Sequence, residues 1–409
     1  MTVELRVLEP GRWDRWYGEL ERAFGGAEES PEERSLWHDL TECERSLAAW
    51  DDDELVGTTG AFSFRLSVPG GSLVPTAGVT CVGVRSTHRR RGVLTAMMRR
   101  QLDDVRRWGE PLAVLTASEP PIYGRFGYGL ATERLRMEID SARVRLTAPT
   151  GTDEIRLRLV PPRAGIAACE AVYARRVAGR PGMLARQPGW ERLPLLDPPS
   201  ERRGAGEVGC VLAERNGEVV GFARFAVKSD WDEAGPKGSV LVRDVEALDP
   251  AGYAALWRHL FEVDLTSTVI ASNRPADDPL LHLVSDVRRC RLRVRDGMFV
   301  RLVDVGAALA ARTYAAPVDV VLEVEDAFCP WNEGRWRLSG DQKGATCERT
   351  TDSADMALSV RELACGYLGG FGLTALAGAG RIRELRPGAL TEAATAFGHP
   401  VAPWLPHGF

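Results

Sequence analysis

Hydrophobic and polar positions change period three times between residues 79 and 128, and that stretch organises the rest of the chain. The run 79–84 is mostly apolar and reads as a buried strand. It gives way to Arg85-Ser86-Thr87-His88-Arg89-Arg90-Arg91-Gly92, a basic, glycine-containing turn. Leu94, Met97, Met98, Leu102, Val105 and Trp108 then recur at helical spacing, with Arg99, Arg100, Asp103, Arg106 and Arg107 on the opposite face. A second apolar run, 112–117, is the next strand. The unit is strand, turn, helix, strand. Its turn offers free backbone N–H groups at the positive end of a helix, a seat suited to phosphate or pyrophosphate.

Upstream, residues 3–40 read as a strand followed by helical segments, with Trp13, Trp16, Tyr17, Leu20 and Phe24 on one stripe. Residues 47–50 and 55–62 flank an acidic turn as a hairpin, and 64–68 and 78–84 extend it into an antiparallel sheet. Past Asp140, residues 146–152 read as a linker. Residues 155–160 (strand), 169–177 (helix), the hairpin 211–225 around Asn216-Gly217, 239–248 (strand), 252–261 (helix) and 267–271 (strand) repeat the logic of the first unit. Between its strand 239–248 and its helix 252–261 nothing corresponds to the Arg-x-x-Gly turn. From Arg295 onward strands at 318–324 and 335–338 mix with helices at 305–312, 360–368 and 372–379, a small α+β unit. The expected division is therefore 1–145, 146–296 and 297–409. The last ten residues contain Pro400, Pro403, Pro406, Trp404, Leu405 and Phe409, and this apolar content argues that the tail docks.

Composition narrows the function class. A net charge of −5 argues against a nucleic-acid partner, which needs a net basic face. The eight cysteines are scattered with no Cys-x-x-Cys, which favours free thiols, and the histidines do not cluster into a metal site. The N-terminus has no signal-peptide core and the weakly polar run 367–380 is too short to span a bilayer, so a cytoplasmic protein without a membrane partner is expected.

Arg89-Arg90-Arg91-Gly92 resembles the coenzyme A pyrophosphate loop of the GNAT acetyltransferases, Arg/Gln-x-x-Gly-x-Gly/Ala, with Leu94 in place of the final small residue. Taken with Ala117-Ser118-Glu119 and Ile122-Tyr123-Gly124-Arg125-Phe126-Gly127-Tyr128-Gly129, the stretch closely resembles the Eis (enhanced intracellular survival) family, where a Leu-type residue at that position is usual. The resemblance extends to the end of the chain, where Asp355-Met356-Ala357-Leu358-Ser359-Val360 resembles a sterol-carrier-protein-like domain. It implies an α/β and α+β architecture: two tandem GNAT-like domains, the second without the CoA loop, then a sterol-carrier-protein-like domain. It also implies a homo-hexamer and acetyl-CoA-dependent N-acetylation of small polycationic amines such as aminoglycosides.

Acetyl transfer from a thioester to an amine needs an anchored CoA, a polarised carbonyl, a base and an acid. Val82, Gly83 and Val84 can pair with the pantetheine arm as an added strand, and a backbone N–H near Val82 or Val84 can polarise the carbonyl. Arg90, Arg91, Gly92, Val93, Leu94 and Thr95 can hold the pyrophosphate, with Ser118 and Glu119 beside the CoA. Spacing leaves Tyr123 either a packed core tyrosine or a general acid; the resemblance implies the acid. It also implies that the α-carboxylate of Phe409 is the general base, with Gly408 standing where relatives often carry an acidic residue. The acidic turn around Glu28 is either a solvated helix start or, with Phe24 and Trp37, a wall for a cationic substrate. Two other functions stay open: acetylation of protein lysines, and non-catalytic acyl-CoA or lipid binding.

Overall fold

Alternating and helical patterns in the first third of the chain become ten elements in a computed structural model, which describes residues 3–26 and 29–409. They are β1 (Glu4–Val7), α1 (Trp13–Ala23), α2 (Pro31–Leu40), β2 (Leu47–Asp51), β3 (Glu54–Ser67), β4 (Leu73–Val84), α3 (Val93–Arg107), β5 (Leu112–Thr116), β6 (Gly129–Leu130) and β7 (Glu133–Asp140). The stripe on α1 buries Trp13, Trp16 and Tyr17, but Phe24, just past the helix, is 60% exposed. α3 buries Met97, Met98, Leu102 and Val105, as its period requires.

The middle of the chain forms β8 (Arg156–Val160), α4 (Pro162–Val177), β9 (Leu184–Ala185), β10 (Gly209–Arg215), β11 (Glu218–Lys228), the short pair β12 (Trp231–Asp232) and β13 (Gly235–Pro236), β14 (Gly238–Ala247), α5 (Pro250–Phe261), β15 (Thr266–Arg274), α6 (Leu280–Leu283), β16 (Arg293–Asp296) and β17 (Met298–Leu302). Asn216 and Gly217 both take positive φ, 52° and 84°, the two-residue turn that suits a right-twisted hairpin. The last third adds α7 (Val305–Ala310), β18 (Val318–Glu325), β19 (Gly334–Gly340), β20 (Ala345–Arg349), β21 (Met356–Ser359), α8 (Val360–Gly366), α9 (Leu373–Gly378), β22 (Ile382–Glu384) and α10 (Ala389–Phe397).

The sheets cross the boundaries expected at 145/146 and 296/297. The first sheet runs β1-β2-β3-β4-β5-β17-β6, and the second β16-β7-β15-β14-β11-β10-β8. β7, expected in the first unit, is paired with β15 and β16 of the second, Ile139 opposite Val269. β17, expected in the third unit, lies between β5 and β6, Val300 opposite Val114. The two halves exchange a strand each. All five residues of β17 are buried, which a central strand with a neighbour on both sides demands. A third sheet, β20-β19-β18-β21-β22, packs with α8 and α10 against the first, and one core joins Phe62, Leu66 and Leu112 to Leu363, Leu368 and Leu405.

The cysteines are unpaired; Cys169 and Cys210 come within 3.8 Å, Sγ to Sγ, in the core of the second half. Among the described residues no helix is long and apolar enough to cross a membrane, and no cluster of His, Cys, Asp or Glu could hold a metal ion.

Candidate active site

The site begins as a defect in β4. Its pairing with β3 runs regularly from Ser67–Leu73 to Gly60–Thr80 and then slips, so that Thr58 faces Gly83. The slip places Cys81 and Val82 opposite Thr59 alone. Cys81 absorbs it with a φ of 54°, and the Thr58 hydroxyl donates to the Cys81 carbonyl at 2.8 Å. Such a bulge bends a strand and locally interrupts its pairing, which resumes at Thr58–Gly83 and Gly57–Val84. On the other side, β4 and β5 pair in parallel only as far as Gly78–Val114. The two strands then diverge, and a cavity of about 1370 Å³ occupies the wedge.

Val82, Gly83 and Val84 line one wall of this cavity, and Ser118, Glu119 and Tyr123 line the other. Arg90, Gly92, Val93, Leu94 and Thr95 stand at the head of α3. Arg90 and Gly92 both have positive φ, 63° and 85°, and no side chain caps the helix start. The first helical bond here is Ala96 N–H to Gly92 C=O, so the amides of Val93, Leu94 and Thr95 remain available to an anion. The turn is braced beneath. His88 lies 3.0 Å from Asp51, and Arg85 donates to Glu19 at 2.9 and 2.8 Å. Arg91 is exposed and does not line the cavity, whereas Arg89 does.

Tyr123 sits in a 3-10 turn, Pro120–Phe126, closed by Gly127 at φ 84°. Its ring packs 6.0 Å from that of Tyr128, and burial, with Glu119 second, pushes its phenol up to about 12. The phenol is therefore a neutral proton donor throughout the physiological range.

Phe409 reaches the same cavity from the far end of the chain. The Thr80 hydroxyl donates to its terminal carboxylate at 3.3 Å, and its ring lies 5.1 Å from Phe64. Gly78 makes that approach possible. A Cβ there would meet the Phe64 ring at 2.4 Å and the Phe409 ring at 3.2 Å. Trp37, stacked 6.3 Å from Phe62 and edge-on to Trp190, lines the cavity, as does exposed Phe24.

Glu28 lies outside the described residues. Its neighbours Glu29 and Glu33 line the cavity, with Glu21. Tyr17 donates to Glu29 at 2.6 Å. Burial, then Glu29 and Glu201, hold the Glu33 carboxyl up at about 7. Sequence reasoning located the acidic turn but missed Thr80, Cys81 and Tyr17. Gly78 was a usable signal, because a glycine inside a strand marks a close approach.

Comparison with known proteins gives the family. Residues 4–131 match an acetyltransferase (GNAT) domain, 182–302 a second acetyltransferase (GNAT) domain and 305–406 a sterol carrier protein domain. N-acetyltransferase Eis of Mycobacterium tuberculosis is 35% identical over 86% of each chain. The chain belongs to the Eis family of GNAT N-acetyltransferases. An uncharacterized N-acetyltransferase of Streptomyces avermitilis is 66% identical over the full length of both chains. The crystal structure of Eis1 from Mycobacterium abscessus superposes with a TM-score of 0.84 at 34% identity, covering 100% of each chain. The tandem GNAT and sterol-carrier architecture read from the sequence is thus that of this Eis-family enzyme. It is an N-acetyltransferase, and its GNAT domains imply acetyl-CoA as co-substrate.

The second GNAT domain narrows its own wedge. β14 and β15 pair as far as Val242–Ala271, and beyond that point Arg274 reaches across, donating to the Val245 carbonyl at 2.9 Å and to Asp278 at 2.7 Å, which leaves a cavity of only about 210 Å³. At the start of α5 the Asp249 carboxylate accepts from the Gly252 amide at 2.9 Å and pairs with Arg215. The end of the helix that would face a pyrophosphate already holds a carboxylate.

Proposed function

We propose that the enzyme transfers the acetyl group of acetyl-CoA directly to an amine of a small polycationic acceptor, of which aminoglycosides are the family example. The observation that carries the reading is that Tyr123, Phe409, the α3 turn and Glu21, Glu29 and Glu33 all line one cavity. In this reading acetyl-CoA binds the first GNAT domain alone. Its pyrophosphate faces Arg90 and the amides of Val93, Leu94 and Thr95, and its pantetheine lies along Val82, Gly83 and Val84. Arg274 and Asp249 leave no equivalent seat in the second domain.

The chemistry follows from these groups. The acceptor nitrogen attacks the thioester carbon, a C–N bond forms and the C–S bond breaks. The proton lost by nitrogen goes to the Phe409 carboxylate, and the phenol proton of Tyr123 goes to the departing sulfur. A phenol near 12 is matched to a thiolate in the same dry surroundings, because desolvation raises the basicity of both. Terminal carboxylates ordinarily titrate near ~3.5, so the base works by position, with Thr80 orienting it. The acidic wall attracts cations and the rings of Trp37 and Phe24 offer cation–π faces. The same resemblance carries the proposal of a homo-hexamer.

One experiment tests both ends of the relay. Tyr123→Phe keeps the ring and removes the proton, and should lower kcat by ~10²-fold with acetyl-CoA affinity unchanged. Two residues added after Phe409 move the carboxylate by ~3 Å each and should do the same, while an N-terminal tag is harmless. Wild-type turnover of kanamycin-type amines by either variant would overturn the corresponding role. Faster turnover of peptide lysines would move the acceptor to protein.

A further inference from the structure

The tail that carries Phe409 to the site is held by the second GNAT domain. Asn273 stands near the end of β15, where pairing with β7 slips between Ala271 and Arg274. Its amide nitrogen donates to the Leu405 carbonyl at 3.1 Å and to the Pro406 carbonyl at 3.0 Å. Its amide oxygen accepts from the Trp404 indole at 3.0 Å. Both donors and the acceptor of one side chain are thus used on three successive tail residues. Upstream the backbone is pinned again: Arg180 donates to the Ala402 carbonyl at 2.6 Å and the Trp404 amide donates to Pro181 at 2.9 Å. Trp404 is buried, 2% exposed.

Beyond Pro406 the fixed points thin out. His407 lies 3.2 Å from the Tyr173 hydroxyl, Gly408 is exposed, and the terminus meets Thr80. The last three residues are thus anchored by few contacts of their own, Tyr173 on His407 and Thr80 and Phe64 on Phe409, and a displacement at Asn273 is carried toward the carboxylate. Catalytic groups tolerate little such displacement: a shift of ~1 Å can cost ~10²-fold in rate.

We propose that Asn273 is a positioning residue for acetyl transfer: its side-chain amide clamps Trp404, Leu405 and Pro406 and so sets where the Phe409 carboxylate stands. The second GNAT domain, whose wedge is narrowed by the neighbouring Arg274, then serves the reaction by holding the base. The inference rests on the reading of the terminal carboxylate as general base.

The test uses the full-length enzyme in four forms: wild type, Asn273→Ala, a form lacking Phe409, and the combination. Asn273→Asp is added because it is isosteric and keeps the acceptor for Trp404 while setting lone pairs against two carbonyls. Both Asn273 variants should lower kcat with kanamycin by about tenfold or more, leave KM for acetyl-CoA within about twofold, and speed hydrogen exchange of the Leu405, His407 and Gly408 amides. In the form lacking Phe409, adding Asn273→Ala should cost no further turnover, because a positioning residue has nothing left to position. Wild-type kcat in the Asn273 variants alongside an inactive form lacking Phe409 overturns the clamp and leaves the base in place. An equal loss in both backgrounds also overturns it, since that marks a merely structural role. Full turnover by the form lacking Phe409 overturns the base, and the clamp with it.

Discussion

Glu33 faces the cavity with its carboxyl held at about 7 by burial and by Glu29 and Glu201, so near neutral pH part of the acidic wall carries a proton. A bound cation favours the ionised form, and binding must therefore expel that proton. The sign follows. Affinity for a cation should rise as pH climbs from 6 toward 8, then level off once Glu33 is ionised without help. A bis-quaternary probe such as decamethonium isolates the effect, because its own charge does not titrate. We expect its affinity to improve by up to roughly tenfold per pH unit below the midpoint, and Glu33→Gln to flatten the curve at the weaker level. A wild-type profile that is flat from pH 6 to 8 in a calorimetric titration would remove Glu33 from cation recognition. Burial raises the Glu29 carboxyl as well, while Tyr17 donates to it at 2.6 Å, so the Glu33→Gln form is what tells the two carboxyls apart.

At the scale of elements, the join between β4 and α3 was legible because its chemistry is local: a basic turn, a glycine and a helix period. Gly92 shows what the structure adds. A Cβ there would meet nothing within 4 Å, so the requirement is conformational, a φ of 85°, and not spatial. Asn and Asp tolerate that region better than other side chains and have the same shape. Gly92→Asn should therefore fold and bind acetyl-CoA, while Gly92→Asp, differing only by a charge beside the phosphates, should bind at least tenfold more weakly, and less so in high salt. Calorimetry showing equal affinities would remove the pyrophosphate from this turn. Other parts of the site had no local signature. The bulge at Cys81 depends on a register between strands, and Thr80 becomes a tail contact only because residue 409 folds back to it. The tail itself was expected to dock on its apolar residues. Phe409 does pack on Phe64, but Trp404 is bound by Asn273, a partner that no periodicity could name.

The molecule as a whole is laced together by strands that cross between its halves. β17 brings Met298, Phe299, Val300 and Leu302 into the first sheet between β5 and β6, each buried. Its Arg301, fully buried, pairs with Asp326 at 2.6 Å, and Asp326 also accepts from Asn332 at 3.0 Å. The strand thus ties the acyl-CoA-binding sheet to the sterol-carrier-like domain as well. Sequence segments suggested a cut near 145, and the exchange decides what such a cut would do. Burying one large apolar side chain stabilises a fold by ~1.5–3 kcal/mol, so losing four removes roughly 6–12 kcal/mol. A domain's whole stability is only ~5–15 kcal/mol. A fragment spanning 1–145 would in addition leave β7 without the second sheet, exposing Met137 and Ile139, both fully buried in the chain. We therefore expect this fragment to be unfolded or aggregated despite carrying every residue proposed to hold acetyl-CoA. The intact chain should lose the secondary structure of both GNAT domains in one cooperative denaturant transition. A soluble 1–145 fragment with protected amides along β4 and β5 would show that the exchanged strand is dispensable, and that the first half is a domain in its own right.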